Sequence, residues 1–155
     1  MTTPESKVFI SGNLEGLCCS EKNVLELIEV LIAAEPSLEN QLKSRQVNLT
    51  FITKNEIKEL NSKFLNKDQP TNVLSFPSNE LDFDERLLGD IAICPEIISN
   101  EADDQNKDRQ NHLFHIILHS LLHLAGHDHQ EDTSAEKMES IEIEALKKLG
   151  IANPY

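Results

Sequence analysis

All six histidines of this 155-residue chain fall between positions 112 and 129, and three of them have the spacing of a metal site. Residues four apart share one face of an α-helix, so His119 and His123 can direct their rings toward one point. Gly126 stands where a helix end favours positive φ, so the chain can turn back and bring His129 to the same point. The segment therefore predicts a helix, a tight turn and a returning chain.

Three imidazoles are a common protein ligand set of catalytic zinc, which keeps its fourth position for water. Zinc lowers the pKa of that water to about 7, so hydroxide becomes available at neutral pH. We predict one zinc ion per chain, bound by His119, His123 and His129. These residue types also permit nickel or another divalent metal.

The neighbouring histidines leave alternatives open. His115 extends the same helix face by one turn, His112 lies near it, and His127 competes with the returning ligand His129. We assign His112, His115 and His127 to supporting or surface positions, because only the three proposed zinc ligands fit the full spacing pattern. Asp128 either orients a ligand imidazole or is a turn residue. A buried helix with incidental histidines is the simplest alternative, and the clustering of all six histidines argues against it.

The same histidine spacing occurs in metzincin peptidases, whose pattern has a glutamate directly after the first histidine as general base. Here that position is Ser120, which cannot transfer protons as a carboxylate does. A metzincin-like zinc peptidase is therefore the alternative and not the favoured function.

The length and the 39% content of apolar residues suit one globular domain over residues 1–155. The N-terminus lacks the basic and apolar regions of a secretory signal, and no apolar run approaches membrane-spanning length, which favours a cytoplasmic protein without membrane contact. The three cysteines, Cys18, Cys19 and Cys94, form no Cys-x2-Cys pair. We expect all three to be reduced and structural.

The net charge of −13 argues against general nucleic-acid binding, which depends on clustered Lys and Arg. Its distribution is uneven, because residues 43–67 contain six Lys and Arg against two Glu, a local charge of +4. A solvated helix face explains such a run more often than a binding patch does. The segment remains a candidate for holding a phosphate backbone.

Hydrophobic periodicity predicts strands and helices in alternation, followed by helices alone. The predicted strands cover residues 8–10, 47–53, 73–76 and 89–94, and the main helices cover 20–36, 55–65, 111–125 and a last segment that ends at Gly150. Capping signals lie at Ser20, at Thr53 with Glu56, and at Thr133 with Glu136. This order predicts an α+β fold: a mixed sheet of about four strands covered by helices, with a zincin-like metal-binding helix against the sheet.

The histidine segment, together with PTNVLSFP at 70–77 and LGDI at 88–91, resembles the YbeY family of bacterial zinc-dependent endoribonucleases. The likeness spans residues 45–150. It implies single-strand-specific RNA cleavage with a metal-activated water, in ribosomal RNA maturation and ribosome quality control. It also implies ribosomal subunits or assembly proteins as partners. The family's zinc ligands fall on His119, His123 and His129, the residues that the spacing argument also selects.

Members of that family usually have an arginine six residues before the threonine of the Pro-Thr motif, and here that position is Leu65. Leucine can neither bind phosphate nor stabilise developing negative charge. We therefore expect weak nuclease activity unless Lys63, Lys67 or Arg45 reaches the same space. A non-catalytic zinc protein that serves as a ribosome assembly factor is the third possible function.

Overall fold

The computed structural model describes residues 7–78, 86–127 and 132–155. Four strands form one mixed sheet in the spatial order β1-β2-β4-β3. The strands β1 (Lys7–Gly12), β2 (Gln46–Phe51) and β4 (Leu87–Ile93) are parallel, and the edge strand β3 (Val73–Pro77) is antiparallel to β4. The predicted α+β fold with about four strands is confirmed.

In the described part of the chain, six α-helices accompany the sheet: α1 (Glu21–Ala34), α2 (Glu39–Leu42), α3 (Lys54–Leu65), α4 (Pro95–Asp104), α5 (Arg109–Leu124) and α6 (Asp132–Lys148). A 3-10 turn at Pro36–Leu38 and the short α2 were not predicted, because neither is long enough to show a helical period. Within the described ranges, no helix is both long and apolar enough to cross a membrane.

Local hydrogen bonds explain where the helices begin. The Ser20 hydroxyl accepts the N–H of Asn23, and Thr53 and Glu56 form the predicted capping box. These bonds satisfy N–H groups that the first turn of a helix leaves without partners. Thr133, predicted as an N-cap, lies instead inside the first turn of α6, which begins at Asp132. A helix capped by Thr133 would begin at residue 134, so the sequence pattern set this boundary two residues too late.

The two faces of the sheet pack against different helices. The main core joins one face to α1, α5 and α6, and includes Val47, Leu49, Ile91, Ile93, Leu118, Leu121 and Leu146. A smaller cluster joins the other face to α3 and consists of Ile57, Leu74, Ala92 and Cys94. Both α3 and α5 contact β3. The edge strand is therefore flanked by α3 on one face and by α5 on the other.

Gly89 allows α5 to approach the sheet closely. A Cβ atom at this position would lie 2.5 Å from the carbonyl oxygen of Phe76 and 2.7 Å from the Leu124 Cδ2 atom. Both distances are shorter than any stable contact, and the first involves backbone that cannot rotate away. Since Leu124 directly follows His123, this glycine fixes how near the histidine end of α5 comes to β3 and β4.

We therefore expect Gly89→Ala to lower the free energy of unfolding by an amount at the upper end of about 1–3 kcal/mol, because it overpacks this contact. Denaturant unfolding measures the change. Gly16→Ala is the matched control: no atom lies within 4 Å of a Cβ there, so only its positive φ of +88° opposes the substitution. An equal loss in both variants would show that sterics at Gly89 are unimportant.

Candidate metal centre

The helix α5 brings two of the predicted ligands together. His119 and His123 lie one turn apart, with ring centroids separated by 4.8 Å and ring planes at 78°. Both side chains are half-buried, in contrast to the fully buried apolar residues on the opposite side of the helix. The two imidazoles therefore lie close enough together to bind one ion.

The predicted chain reversal at Gly126 is confirmed. Gly126 has φ +96°, its N–H donates to the His123 carbonyl at 3.0 Å, and the N–H of His127 donates to the Leu122 carbonyl at 3.0 Å. This pair of bonds is the Schellman motif, which closes a helix and turns the chain back. His129 and Asp128 lie outside the described residues, so the third ligand stays a prediction. Among the described residues, no three metal-binding side chains converge.

A buried carboxylate lies behind His119. Glu142, on α6, is 0% exposed, and its Oε1 accepts a hydrogen bond from His119 Nδ1 at 2.6 Å. Its Oε2 accepts a hydrogen bond from the Tyr155 hydroxyl at 2.6 Å, and His115 Nε2 lies 3.5 Å from Oε1. Burial alone would raise the pKa of Glu142, but these three neighbours outweigh it and lower the pKa to about 2.

This contact determines which nitrogen of His119 carries the proton. An ionised carboxylate can only accept, so Nδ1 must donate, and the neutral ring then has its lone pair on Nε2. A lone pair on Nε2, with Nδ1–H bonded to a carboxylate, is the usual arrangement of a metal-binding histidine. The described residues therefore fit a zinc ion, which would be held through His119 and His123.

His115 and His112 lie one and two turns before His119 on α5, and their supporting roles stay predictions. The ring of His115 contacts Tyr155 edge-on, with centroids 5.5 Å apart. His112 Nε2 lies 3.2 Å from a carboxylate oxygen of Glu101, which also accepts from the Asn72 amide at 3.0 Å. The hydrogen bond from His112 lowers the pKa of Glu101, although burial opposes it. This chain of contacts joins α5 to α4 and to the residue before β3.

Ser120 is excluded as a general base by its position. The side chain is buried, and its hydroxyl donates to the Ile116 carbonyl at 2.9 Å. It therefore faces the core, with its proton held by a backbone acceptor.

Sequence reasoning missed Glu142 and Tyr155. A signal for Glu142 existed, because it follows Met138 by four residues and precedes Ala145 by three, and so lies on the apolar stripe of α6. A carboxylate at a core position must have a partner. Tyr155 had no local signal, because its position depends on the turn at Gly150, which has φ +74°.

The run of positive charge between residues 43 and 67 is divided between several elements. Arg45 directly precedes β2, whereas Lys63 belongs to α3 and Lys67 to the loop after it. The +4 segment therefore stays a candidate for holding a phosphate backbone.

The position of the missing arginine lies at the end of α3. Leu65 is 51% exposed, and the neighbouring Phe64 is 55% exposed and contacts Phe76 edge-on, with centroids 5.4 Å apart. Lys63 Nζ lies 5.3 Å from the centroid of the Phe64 ring. Where the family usually has the guanidinium of an arginine, this chain has an exposed apolar surface with one adjacent cation, Lys63.

The sequence model of the family described as Endoribonuclease YbeY matches residues 13–150. The chain belongs to this family. Endoribonuclease YbeY of Francisella tularensis subsp. novicida is 46% identical over 121 residues, which cover 75% of each protein. The same protein of Francisella tularensis subsp. tularensis strain WY96-3418 is 45% identical over 121 residues. The resemblance predicted from the three motifs is confirmed.

A solved structure has a similar fold. The solution structure of TM1509 from Thermotoga maritima has 31% sequence identity to this chain and a TM-score of 0.57. The similarity covers 92% of this chain and 91% of that one.

For this YbeY-family chain, we expect one zinc ion per molecule and a loss of bound zinc in His119→Ala, His123→Ala and His129→Ala. Elemental analysis of the purified variants measures the metal content. His115→Ala is the matched control and should retain the ion. Unchanged metal in any of the first three variants would remove that residue from the ligand set, and His115 would become the next candidate.

Proposed function

We propose that this YbeY-family protein is a zinc-dependent endoribonuclease that cleaves single-stranded RNA with a metal-activated water. Its expected roles are ribosomal RNA maturation and ribosome quality control, in the cytoplasm, with ribosomal subunits or assembly proteins as partners. One observation carries the proposal. In a chain whose family is described as an endoribonuclease, two imidazoles lie with ring centroids 4.8 Å apart and a buried carboxylate is hydrogen-bonded to one of them.

The residues have separate tasks in phosphodiester hydrolysis. Zinc, when bound, would supply Lewis acidity and a water molecule with a lowered pKa. His119, His123 and His129 would hold the zinc ion. Glu142 accepts the Nδ1 proton of His119 in a hydrogen bond, so that the Nε2 lone pair is the one directed to the metal. Hydrolysis by an activated water needs no strong protein base, so Ser120 in place of a glutamate is compatible with this reaction.

Substrate RNA would lie along the edge strand β3, between the exposed end of α3 and the histidines of α5. Phe64 presents an exposed ring on which a base can stack, and Lys63 places a cation beside it. Aromatic stacking combined with nearby cations is how proteins commonly hold single strands. A duplex has no unstacked base to offer, so this surface favours single-stranded RNA.

A second candidate function is a weakly active or non-catalytic assembly factor, and Leu65 is the observation that favours it. The peptidase alternative is weaker, because the residue after His119 is Ser120, whose hydroxyl is bonded inside the core.

The direct test is incubation of zinc-loaded protein with matched single-stranded and duplex RNA. We expect cleavage of the single strand, loss of cleavage on chelation, and loss of cleavage in His123→Ala. Gel analysis of the end-labelled RNA measures the products. Cleavage that survives both chelation and His123→Ala would mean that the proposed metal centre is not responsible.

The arginine position gives a second test. Removing one well-placed stabilising donor typically costs about 10²–10³ in rate, so Leu65→Arg should raise cleavage by up to that factor. The gain should appear mainly in turnover, because the new charge acts most strongly where negative charge develops. Single-turnover cleavage of a short RNA measures it.

Leu65→Gln is the matched control, because it removes the apolar group without adding charge. If the natural protein already cleaves as fast as Leu65→Arg, another cation such as Lys63 has taken the role. If no variant cleaves, the assembly-factor function is favoured.

A further inference from the structure

Both oxygens of the buried Glu142 carboxylate have hydrogen-bond partners, although packing of α6 against the core would need only an apolar side chain here. Glu142 projects from α6 into the core, has no exposed surface, and uses each carboxylate oxygen for a different hydrogen bond. One oxygen receives the His119 Nδ1 proton and the other receives the Tyr155 hydroxyl proton, both at 2.6 Å. The carboxylate is thereby fixed at both ends and cannot rotate without losing a bond.

A turn at the end of α6 precedes the segment that carries Tyr155 to Glu142. At the end of α6, the Gly150 N–H donates to the Lys147 carbonyl at 3.0 Å and the Ile151 N–H donates to the Leu146 carbonyl at 3.0 Å. These bonds turn the chain back along the helix, as the equivalent bonds do at Gly126.

Two further contacts then fix the returning segment. Lys107 Nζ donates to the Pro154 carbonyl at 2.8 Å, and Asn153 Oδ1 accepts the Tyr155 N–H at 2.9 Å. The Tyr155 ring packs against His115 of α5, and its hydroxyl donates to the second oxygen of Glu142.

We propose that Glu142 is the positioning residue of the metal centre and that Tyr155 locks it, so that His119 is held in the Nδ1–H tautomer before any metal arrives. This inference rests on the proposed metal site. The buried carboxylate selects the nitrogen that meets the ion, fixes the ring orientation and makes Nε2 more basic. Carboxylate partners of metal-binding histidines act in this way, and their loss typically lowers metal affinity about 10–100-fold.

The competing explanation is that Glu142 merely joins α5, α6 and the C-terminal segment. The chain contains a matched control for this explanation, the pair of Glu101 and His112. It has the same chemistry, with a carboxylate against a buried histidine of α5 at 3.2 Å, but lies two turns away from His119. Loss of Glu101 should disturb packing without affecting the metal.

The first experiment measures zinc affinity of the full chain by competition with a chromophoric chelator. We expect Glu142→Met, which keeps the volume but has no acceptor, to lower zinc affinity by about 10–100-fold. Glu142→Gln, which keeps one acceptor oxygen, should lose less, and Tyr155→Phe less again. Glu101→Met should match the natural protein.

A double variant tests whether Glu142 acts through His119. At zinc concentrations high enough to load the remaining ligands of His119→Ala, adding Glu142→Met should cause no further loss of zinc affinity, because the ring that it positions is absent. A packing role would instead give a second, additive loss.

The second experiment needs no metal. Nitrogen-15 NMR of the imidazoles in the metal-free protein should show His119 with a protonated Nδ1 and a pyridine-like Nε2, and Glu142→Met should lose this preference while Glu101→Met keeps it. If Glu142→Met does not fold, Glu142→Gln decides the same comparison.

The inference is overturned if His119 of the natural protein carries its proton on Nε2, or if the foldable Glu142 variants bind zinc no more weakly than Glu101→Met does. These results differ from failure of the proposed function, in which the natural protein itself binds no zinc or cleaves no RNA.

Discussion

The carboxylate of Glu142 joins α5, α6 and the segment after α6 beside the candidate metal centre. Withdrawing such a group from water costs several kcal/mol, and only well-placed partners offset that cost. Here the partners come from α5 and from the segment after α6, so His119, Tyr155 and Glu142 depend on one another. Removing one partner would leave a buried charge without compensation, which is far more destabilising than loss of an exposed pair. The geometry around His119 is therefore a property of the folded chain before any metal binds.

The parts of this structure that could be predicted are those with local causes. Thr53 caps α3 through a residue three positions away, and Gly126 closes α5 through bonds within five positions. Helical periodicity likewise predicted where the main helices α1, α3, α5 and α6 lie. Glu142 could not be paired with its partner in this way, because His119 lies 23 residues earlier on a different helix. The residue was detectable as a carboxylate on an apolar stripe, but its partner depends on how α5 and α6 pack.

The basic segment shows what a count of charge along the chain leaves out. Arg45 lies before β2, Lys63 on α3 and Lys67 in the loop after it, so their spacing depends on how α3 packs on the sheet. Charge counted along a chain predicts a surface only within one element, where residues three or four apart are neighbours. Phe64 contacts Phe76 of the edge strand, so the adjacent Lys63 is the candidate cation near β3.

The edge strand β3 relates these features to each other. It is contacted by α5 on one face and by α3 on the other, and Gly89 allows the backbone of Phe76 and the side chain of Leu124 to come close together. Phe76 in turn contacts the exposed Phe64, so packed residues connect the end of α3 to the end of α5. In the proposed function, a strand of RNA lying along this edge would meet the exposed Phe64 ring and the histidines of α5. A charge introduced at residue 65, next to that ring, should therefore act on RNA held along this edge.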